Sequence, residues 1–352
     1  MKRLYSLDLL KLVFAYVIAF FHFGSTIPPG PTVTVQVFFF ISGFFLAKKY
    51  YARSHADSGK QYGPWNYTLD HVKGHYPHYL FSYAAFVLYN TTRAAVYFLK
   101  SPSFQQLQEI LLSFYDQIPN LLFLQSAYTF HDSMNYPLWQ LSALVIAGYF
   151  VYGMLCANEK LSRQLLFPAA ILMTMSLRAS GIALDANYGL IYMPLLRAFS
   201  GLSYGVLIYY FTTTPWYGKL RSRRIAFNAA AVLSLLCIFV YAEYRNIHFI
   251  TTALLILGCY DSTSWLNALL NRSLFRHAGK LSLSIYLNHA LICRALNGFL
   301  FPHMDGWGMP LSKPLQCLAY FVILTVYSVF TLVLVEKLHA LWKQRPAAAR
   351  KI

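Results

Sequence analysis

Asp8, Lys11 and His22 are the residues whose types and spacing first point to chemistry, because all three stand in an apolar run from Leu4 to Phe23. On a helix turning about 100° per residue, the positions from Lys11 to His22 make roughly three turns plus 20°, so both side chains leave one face. Asp8 joins that stripe with Ala15 and Ile18. In a lipid-spanning helix such groups are expensive unless they face a protein-lined or wet cavity, which makes a functional site the default expectation. A neutral imidazole near physiological pH serves as general base or nucleophile, and a lysine ammonium holds an anion. The competing readings are a histidine hydrogen-bonded between helices, and a lysine that reaches the interface while Asp8 neutralises it as an i, i+3 partner.

The helix must sit in a membrane protein. Of 352 residues, 57% are hydrophobic and 12% charged, against about 25% charged in ordinary soluble domains. The formal charge of +17 invites comparison with nucleic-acid binders. However, the basic residues fall in short clusters between apolar runs rather than along one soluble face, so nucleic acid is not an expected partner. Cys156, Cys237, Cys259, Cys293 and Cys317 are widely spaced and form no C-x-x-C pair, so neither a disulfide framework nor a metal site is expected. The first run carries Asp8 and Lys11 and leads to no A-x-A site, so it reads as a retained helix rather than a signal peptide.

Apolar segments near 4–26, 32–50, 77–98, 137–156, 164–180, 188–212, 226–244, 247–261, 281–300 and 314–336 are each about long enough to cross a bilayer, the fifth and eighth being short. The reading is an all-α membrane protein, a bundle of about ten transmembrane helices forming a single transmembrane unit over 1–340 with a basic tail over 341–352. Lysine and arginine at 2–3, 48–53, 60, 73, 160–163, 219–224 and 272–280, and in the tail, fall on one side, and little more than Lys100, Arg245 and Lys313 on the other. By the positive-inside rule both termini are then cytoplasmic. Asp8 and Lys11 lie towards the inner face and His22 towards the outer. The long outer stretch from Leu99 to Tyr136, with its apolar run Ile118 to Leu124, is expected to hold an interfacial or re-entrant helix.

Five ordered stretches resemble one family, the acyltransferase-3 family of bacterial membrane acyltransferases. LDLLKLVFAYVIAFFH resembles its L-D-x-x-R-x10-H signature, with Asp8, Lys11 and His22 in register. VQVFFFISGFFLAKKY resembles its F-F-x-x-S-G-F stretch through Phe38, Phe39, Ser42, Gly43 and Phe44. HYPHY at 75–79 is similar to its R-x-Y-P-x-Y pattern, PLWQLSALV at 137–145 to its tryptophan-leucine motif, and LSLSIYLNHALI at 281–292 to its S-x-x-x-Y-L-x-H segment. Two positions depart. Lys11 replaces the usual arginine, keeping the charge but losing the bidentate fork, and Leu144 stands where many members carry a glutamate.

The resemblance implies an integral membrane O-acyltransferase of the bacterial plasma membrane. Its donor would be cytoplasmic acyl-CoA, with acetyl-CoA the expected form, and its acceptor a hydroxyl of an extracytoplasmic carbohydrate or lipid-linked sugar. His22, with Asp8 and Lys11, would carry the catalysis, and Lys11, Ser42 and Arg197 would bind the donor. Further candidates are His289, which shares a helical stripe with Ser282 and Tyr286, and Asp132, beside His131, which could orient an imidazole by triad logic. Trp139 could stack on a sugar, although interfacial aromatics are common in any membrane protein. The rival function is a transporter or flippase for a glycan or small anion using the same polar stripe. Transporters commonly show internal repeats and matched broken helices, and neither is evident in the sequence.

Overall fold

The computed structural model describes residues 3–25, 27–28, 30–54, 62–100, 102–105, 108, 114, 118–126, 135–182, 187–188, 191–240 and 246–344. The helices are α1 Tyr5–His22, α2 Gly30–Ser54, α3 Pro64–Lys100, α4 Ile118–Leu121, α5 Trp139–Leu161, α6 Phe167–Ala179, α7 Met193–Phe211, α8 Pro215–Ser222, α9 Arg224–Val240, α10 Ile247–Tyr260, α11 Trp265–Leu270, α12 Ala278–Ala295, α13 Phe301–Gly306 and α14 Lys313–Gln344. The one extended element among the described residues is a two-residue antiparallel ribbon, β1 Asn187–Tyr188 with β2 Ile191–Tyr192. The all-α class therefore holds, and each of the ten apolar segments coincides with a helix.

Four stretches among the described residues are long and apolar enough to cross a membrane: Tyr5–His22, Gly30–Ser54, Tyr136–Ala179 and Lys313–Leu341. A fifth counts if Pro215–Ser222 and Arg224–Val240, bent by 94°, act as one. The exterior suits lipid: α14 exposes Val326, Phe330 and Val333, and α9 exposes Leu233, Leu236 and Val240. The stretch Tyr136–Ala179 is interrupted at Asn158, whose backbone leaves the helical region (φ −160°, ψ 94°). Its side-chain oxygen accepts from the Leu161 amide at 2.9 Å, replacing a lost ladder bond.

Two pairs of parallel helices position the site. α2 and α7 approach so closely that a β-carbon at Gly205 would stand 2.1 Å from the Phe40 carbonyl oxygen, and one at Gly43 2.1 Å from that of Leu202. Only small residues permit such backbone contact between membrane helices. α1 and α12 form the other pair: Asp8 lies against Gly279 at their first turns, and His22 lies against His289 at the far end. α14 returns antiparallel, since Tyr320 bonds to the carbonyls of Ala19 and His289 while Glu336 pairs with Lys280. One end of the bundle thus gathers Arg3, Lys48, Lys49, Lys280 and Glu336, and the other gathers His22, His289 and Tyr320.

Outside this frame, the run from Ile118 to Leu124 is divided, Ile118 and Leu122 exposed and Phe123 buried. α4 is one turn long and buries Asn120, and the chain beyond it buries Phe123, Gln125 and Ser126. The Tyr79 hydroxyl donates to the Asn120 carbonyl, Tyr76 to that of Leu121 at 3.2 Å, and the Ser126 amide to Ser142 Oγ at 2.9 Å. α3 and α5 hold the segment between them through these bonds.

Candidate active site

The stripe read from the sequence faces α12, not lipid. Ala15 and Ile18 are fully enclosed, and the polar members lie at either end of the contact. At the basic end a cavity of about 560 Å³ is lined by Arg3, Asp8, Lys11, Ser42, Lys48, Lys49, His71 and His75, with Phe45 and Tyr67 among its apolar walls. That volume falls within the usual range for a ligand pocket, roughly 300–1,000 Å³. Its cations are not equivalent. Arg3 pairs with Asp8 at 2.7 Å, and Lys49 with Asp70 at 3.1 Å. Hydrogen bonds from Tyr62 and Lys49 hold the Asp70 carboxyl below the usual carboxylate range. Lys11 has no hydrogen bond or ion pair among the described residues. Its Nζ lies 5.0 Å from the centre of the Phe45 ring, an arrangement that orients an ammonium without neutralising it.

Asp8 therefore pairs with Arg3 rather than Lys11, so the competing reading, an i, i+3 neutralisation within α1, is not formed as an ion pair. The geometry follows from the neighbouring helix: a β-carbon at Gly279 would come within 2.5 Å of Asp8 Oδ1. Gly279 gives the carboxylate the space in which it turns to Arg3.

Lys11, Ser42, His71 and His75 also line a second, narrower cavity of about 140 Å³ that runs on between Phe38, Gln140, Leu141, Leu144, Gly279, Ser282, Leu283 and Tyr286. The shared lining sets the two cavities side by side, the first wide and cationic, the second narrower, with Gln140 and Ser282 between its apolar walls. Leu144, at the position of the expected glutamate, is part of these walls, so the substitution replaces a carboxylate with an aliphatic surface inside the narrower cavity itself. Tyr286 closes the described lining, with its hydroxyl donated to the Pro137 carbonyl.

One turn beyond Tyr286 on the same face, His289 meets His22. The ring centroids are 5.2 Å apart with planes 26° from parallel. Tyr136 stands edge-on to His22 at 4.9 Å, and the Cys293 thiol donates to the His22 carbonyl at 3.2 Å. His289 is completely buried, while His22 is half-buried. The structure thus brings His22, His289 and Tyr286 together at one end, and Asp8, Lys11 and Ser42 at the other. By the helical rise, Lys11 and His22 are about 16 Å apart along α1.

Other candidates lie elsewhere. Arg197 is buried between α7 and α2, where its Nε donates to Gln36 Oε1 at 3.1 Å and its other arm to the Thr32 carbonyl. It lines neither cavity. Trp139 packs half-buried against the apolar cluster built from α2, α3, α5, α7 and α12, and its carbonyl accepts from Ser126 Oγ at 2.6 Å. Asp132 and His131 fall outside the described residues. No group of three metal-ligating side chains occurs among the described residues.

Sequence reasoning took His75 only as part of the 75–79 motif and passed over His71; the two rings lie 4.6 Å apart in the wall of both cavities. His75 Nδ1 lies 2.7 Å from the His71 carbonyl, and His71 Nε2 is buried without a partner among the described residues. Their i, i+4 spacing was the available signal.

A model of an acyltransferase domain, that of the acyltransferase-3 family, matches residues 4–335. Because the match covers nearly the whole chain, the protein belongs to the acyltransferase-3 family. It is an acyltransferase acting on groups other than aminoacyl groups, and a multi-pass membrane protein. No curated protein and no solved structure matches the chain.

Proposed function

We propose that this acyltransferase moves an acyl group, acetyl first among the candidates, from coenzyme A to a hydroxyl of an extracytoplasmic or lipid-linked carbohydrate. The observation that carries this reading is the adjoining pair of cavities, a cationic mouth and a narrower space that share Lys11 and Ser42, the second lined as far as Tyr286, one turn of α12 before the His289 that meets His22. Coenzyme A is polyanionic at its nucleotide end and slender along its pantetheine arm. The mouth offers Lys11 and Lys48 to phosphates, and the narrower cavity beside it, walled by Phe38, Leu141, Leu144 and Leu283 with polar groups between them, suits the arm. The thioester then arrives at the histidines, where an acceptor approaching from the opposite end presents its hydroxyl. In the proposed orientation about ten spans cross the plasma membrane of a bacterium, with the basic end and both termini cytoplasmic.

His22 brings acyl carbonyl and hydroxyl together, and removing its imidazole removes the group that handles the hydroxyl proton. His22→Ala, purified in detergent or nanodiscs, is expected to bind acetyl-CoA as the parent does but to lose acyl turnover by on the order of 10²-fold or more. Full turnover in the folded variant rules the proposal out. Sugar or anion flux across vesicles without acyl turnover in the parent protein would instead favour a transporter.

A further inference from the structure

The two histidines of the far end are not equivalent. His289 Nδ1 lies 2.7 Å from the Tyr286 carbonyl oxygen, an atom that only accepts, so Nδ1 carries the hydrogen. The neutral ring must then present Nε2 as a bare lone pair. That Nε2 is buried and meets no hydrogen-bond partner among the described residues, and a buried acceptor left unmade is costly. Neighbouring hydroxyls are engaged elsewhere: that of Tyr286 is given to Pro137, and that of Tyr320 to the carbonyls of Ala19 and His289. Among the described residues, the ring that packs on His289 and carries an N–H of its own is that of His22. At 5.2 Å, the centroids have about the separation of two imidazoles joined nitrogen to nitrogen by a hydrogen bond, with each N inset from its centroid by about half the difference between that separation and an ordinary bond length. A rotation of the half-buried His22 ring completes the contact.

Resting on the proposed function, we infer that His289 is a positioning residue for His22: its Nε2 accepts the N–H of His22 and so fixes the tautomer whose other nitrogen faces the acceptor hydroxyl. It fills the place that a carboxylate takes in the serine hydrolase triad, and being wholly buried it needs no contact with substrate. During transfer the hydroxyl oxygen bonds to the acyl carbon while the thioester C–S bond breaks. The hydroxyl proton goes to the free nitrogen of His22 and from there to the departing coenzyme A thiolate. The products are an ester and a free thiol, and both histidines return to their starting forms.

Two amide substitutions separate this role from mere packing. His289→Asn places an amide N–H near the Nδ1 position, keeping the bond to the Tyr286 carbonyl, but has nothing at Nε2. His289→Gln can place its carbonyl oxygen near Nε2 as an acceptor. With purified protein, acetyl-CoA and an acyl-accepting sugar, H289N is expected to lose on the order of 10²-fold in kcat at unchanged KM for acetyl-CoA, while H289Q recovers about tenfold or more of that loss. Wild-type kcat in H289N, or equal losses in two folded variants, overturns the inference. If H289N does not fold, His289→Ala with added imidazole decides: restored turnover supports the role and no restoration refutes it. A parent protein that turns over no acyl-CoA defeats the proposed function itself, and a parent that is active beside a fully active H289N defeats this inference alone.

Discussion

Lys11→Met tests the charged group that the two cavities share, and the two consequences have opposite sign. In the ligand-free protein the ammonium is enclosed by α1, α2 and α3, with Phe45 under it and no counter-ion within bonding distance among the described residues. Replacing it with a side chain of similar length and no charge relieves a desolvation cost, so the apo protein gains stability on the order of 1 kcal/mol. Donor binding moves the other way. A hydrogen bond from a charged group is worth about 1.5–3 kcal/mol, so its loss weakens coenzyme A affinity by roughly 10- to 150-fold. With coenzyme A at about a hundred times the parent Kd, ligand stabilisation of about 2.7 kcal/mol in the parent falls to roughly 0.3–1.3 kcal/mol in the variant. Unfolding of detergent-purified protein, followed with and without coenzyme A, reads both quantities in one experiment. The reasoning is refuted if K11M shows the parent's ligand-induced stabilisation, and the account of an unpaired cation is refuted if the apo variant is markedly less stable. Lys11→Arg is the natural companion: it keeps the charge and supplies the fork that the family pattern carries at this position.

Two further outcomes follow from the packing. Gly205→Val drives a side chain into the Phe40 carbonyl and the Phe44 amide, 2.1 and 2.6 Å from its first carbon; α2 and α7 must part, costing about 3 kcal/mol or more. Thermal unfolding and the yield of monodisperse protein report the loss. Asp261→Asn weakens a set of bonds that joins α8 to the turn after α10, where the carboxylate accepts from Tyr217 at 2.7 Å, from the Thr263 amide at 2.8 Å and from Arg221. A stability loss of about 2 kcal/mol with unchanged acyl turnover is expected, Arg221 being partly exposed and its share reduced by solvent. A selective loss of turnover would give this corner a role it lacks in the present reading.

Much of the frame was legible because the membrane simplifies the code. Apolar length marks each helix and basic clusters mark its ends, so the ten segments coincide with helices, and the stripe from Asp8 to His22 does face protein. The partner of each polar group was not legible. Spacing along α1 puts Asp8 next to Lys11, yet Gly279 of a distant helix decides that Asp8 turns to Arg3. His22 and His289 were separate candidates on separate stripes, and no periodicity says that parallel helices bring them ring to ring. Arg197 shows the converse. Its burial was expected, but its partners Gln36 and Thr32 set it apart from both cavities, because the close approach of α2 and α7 offers it acceptors where it stands. The pairing of His71 with His75 went unread because a single i, i+4 histidine pair on a long polar-ended helix resembles a solvated face until α1 and α2 close over it.

The pairing of α1 with α12 also bears on how the protein is made. The two histidines come from opposite ends of the polypeptide, so α1 enters the membrane with Asp8, Lys11 and His22 long before the helix that covers them has been synthesised. Until α12 arrives, those groups must be sheltered by α2, by the insertion machinery or by water drawn into the bilayer. The contact between α1 and α12, and with it the proposed reaction centre, is therefore among the last parts of the molecule to be assembled. A ribosome-stalled chain lacking α12 would hold the cationic mouth of α1, α2 and α3 and still lack the histidine pair at which transfer is proposed.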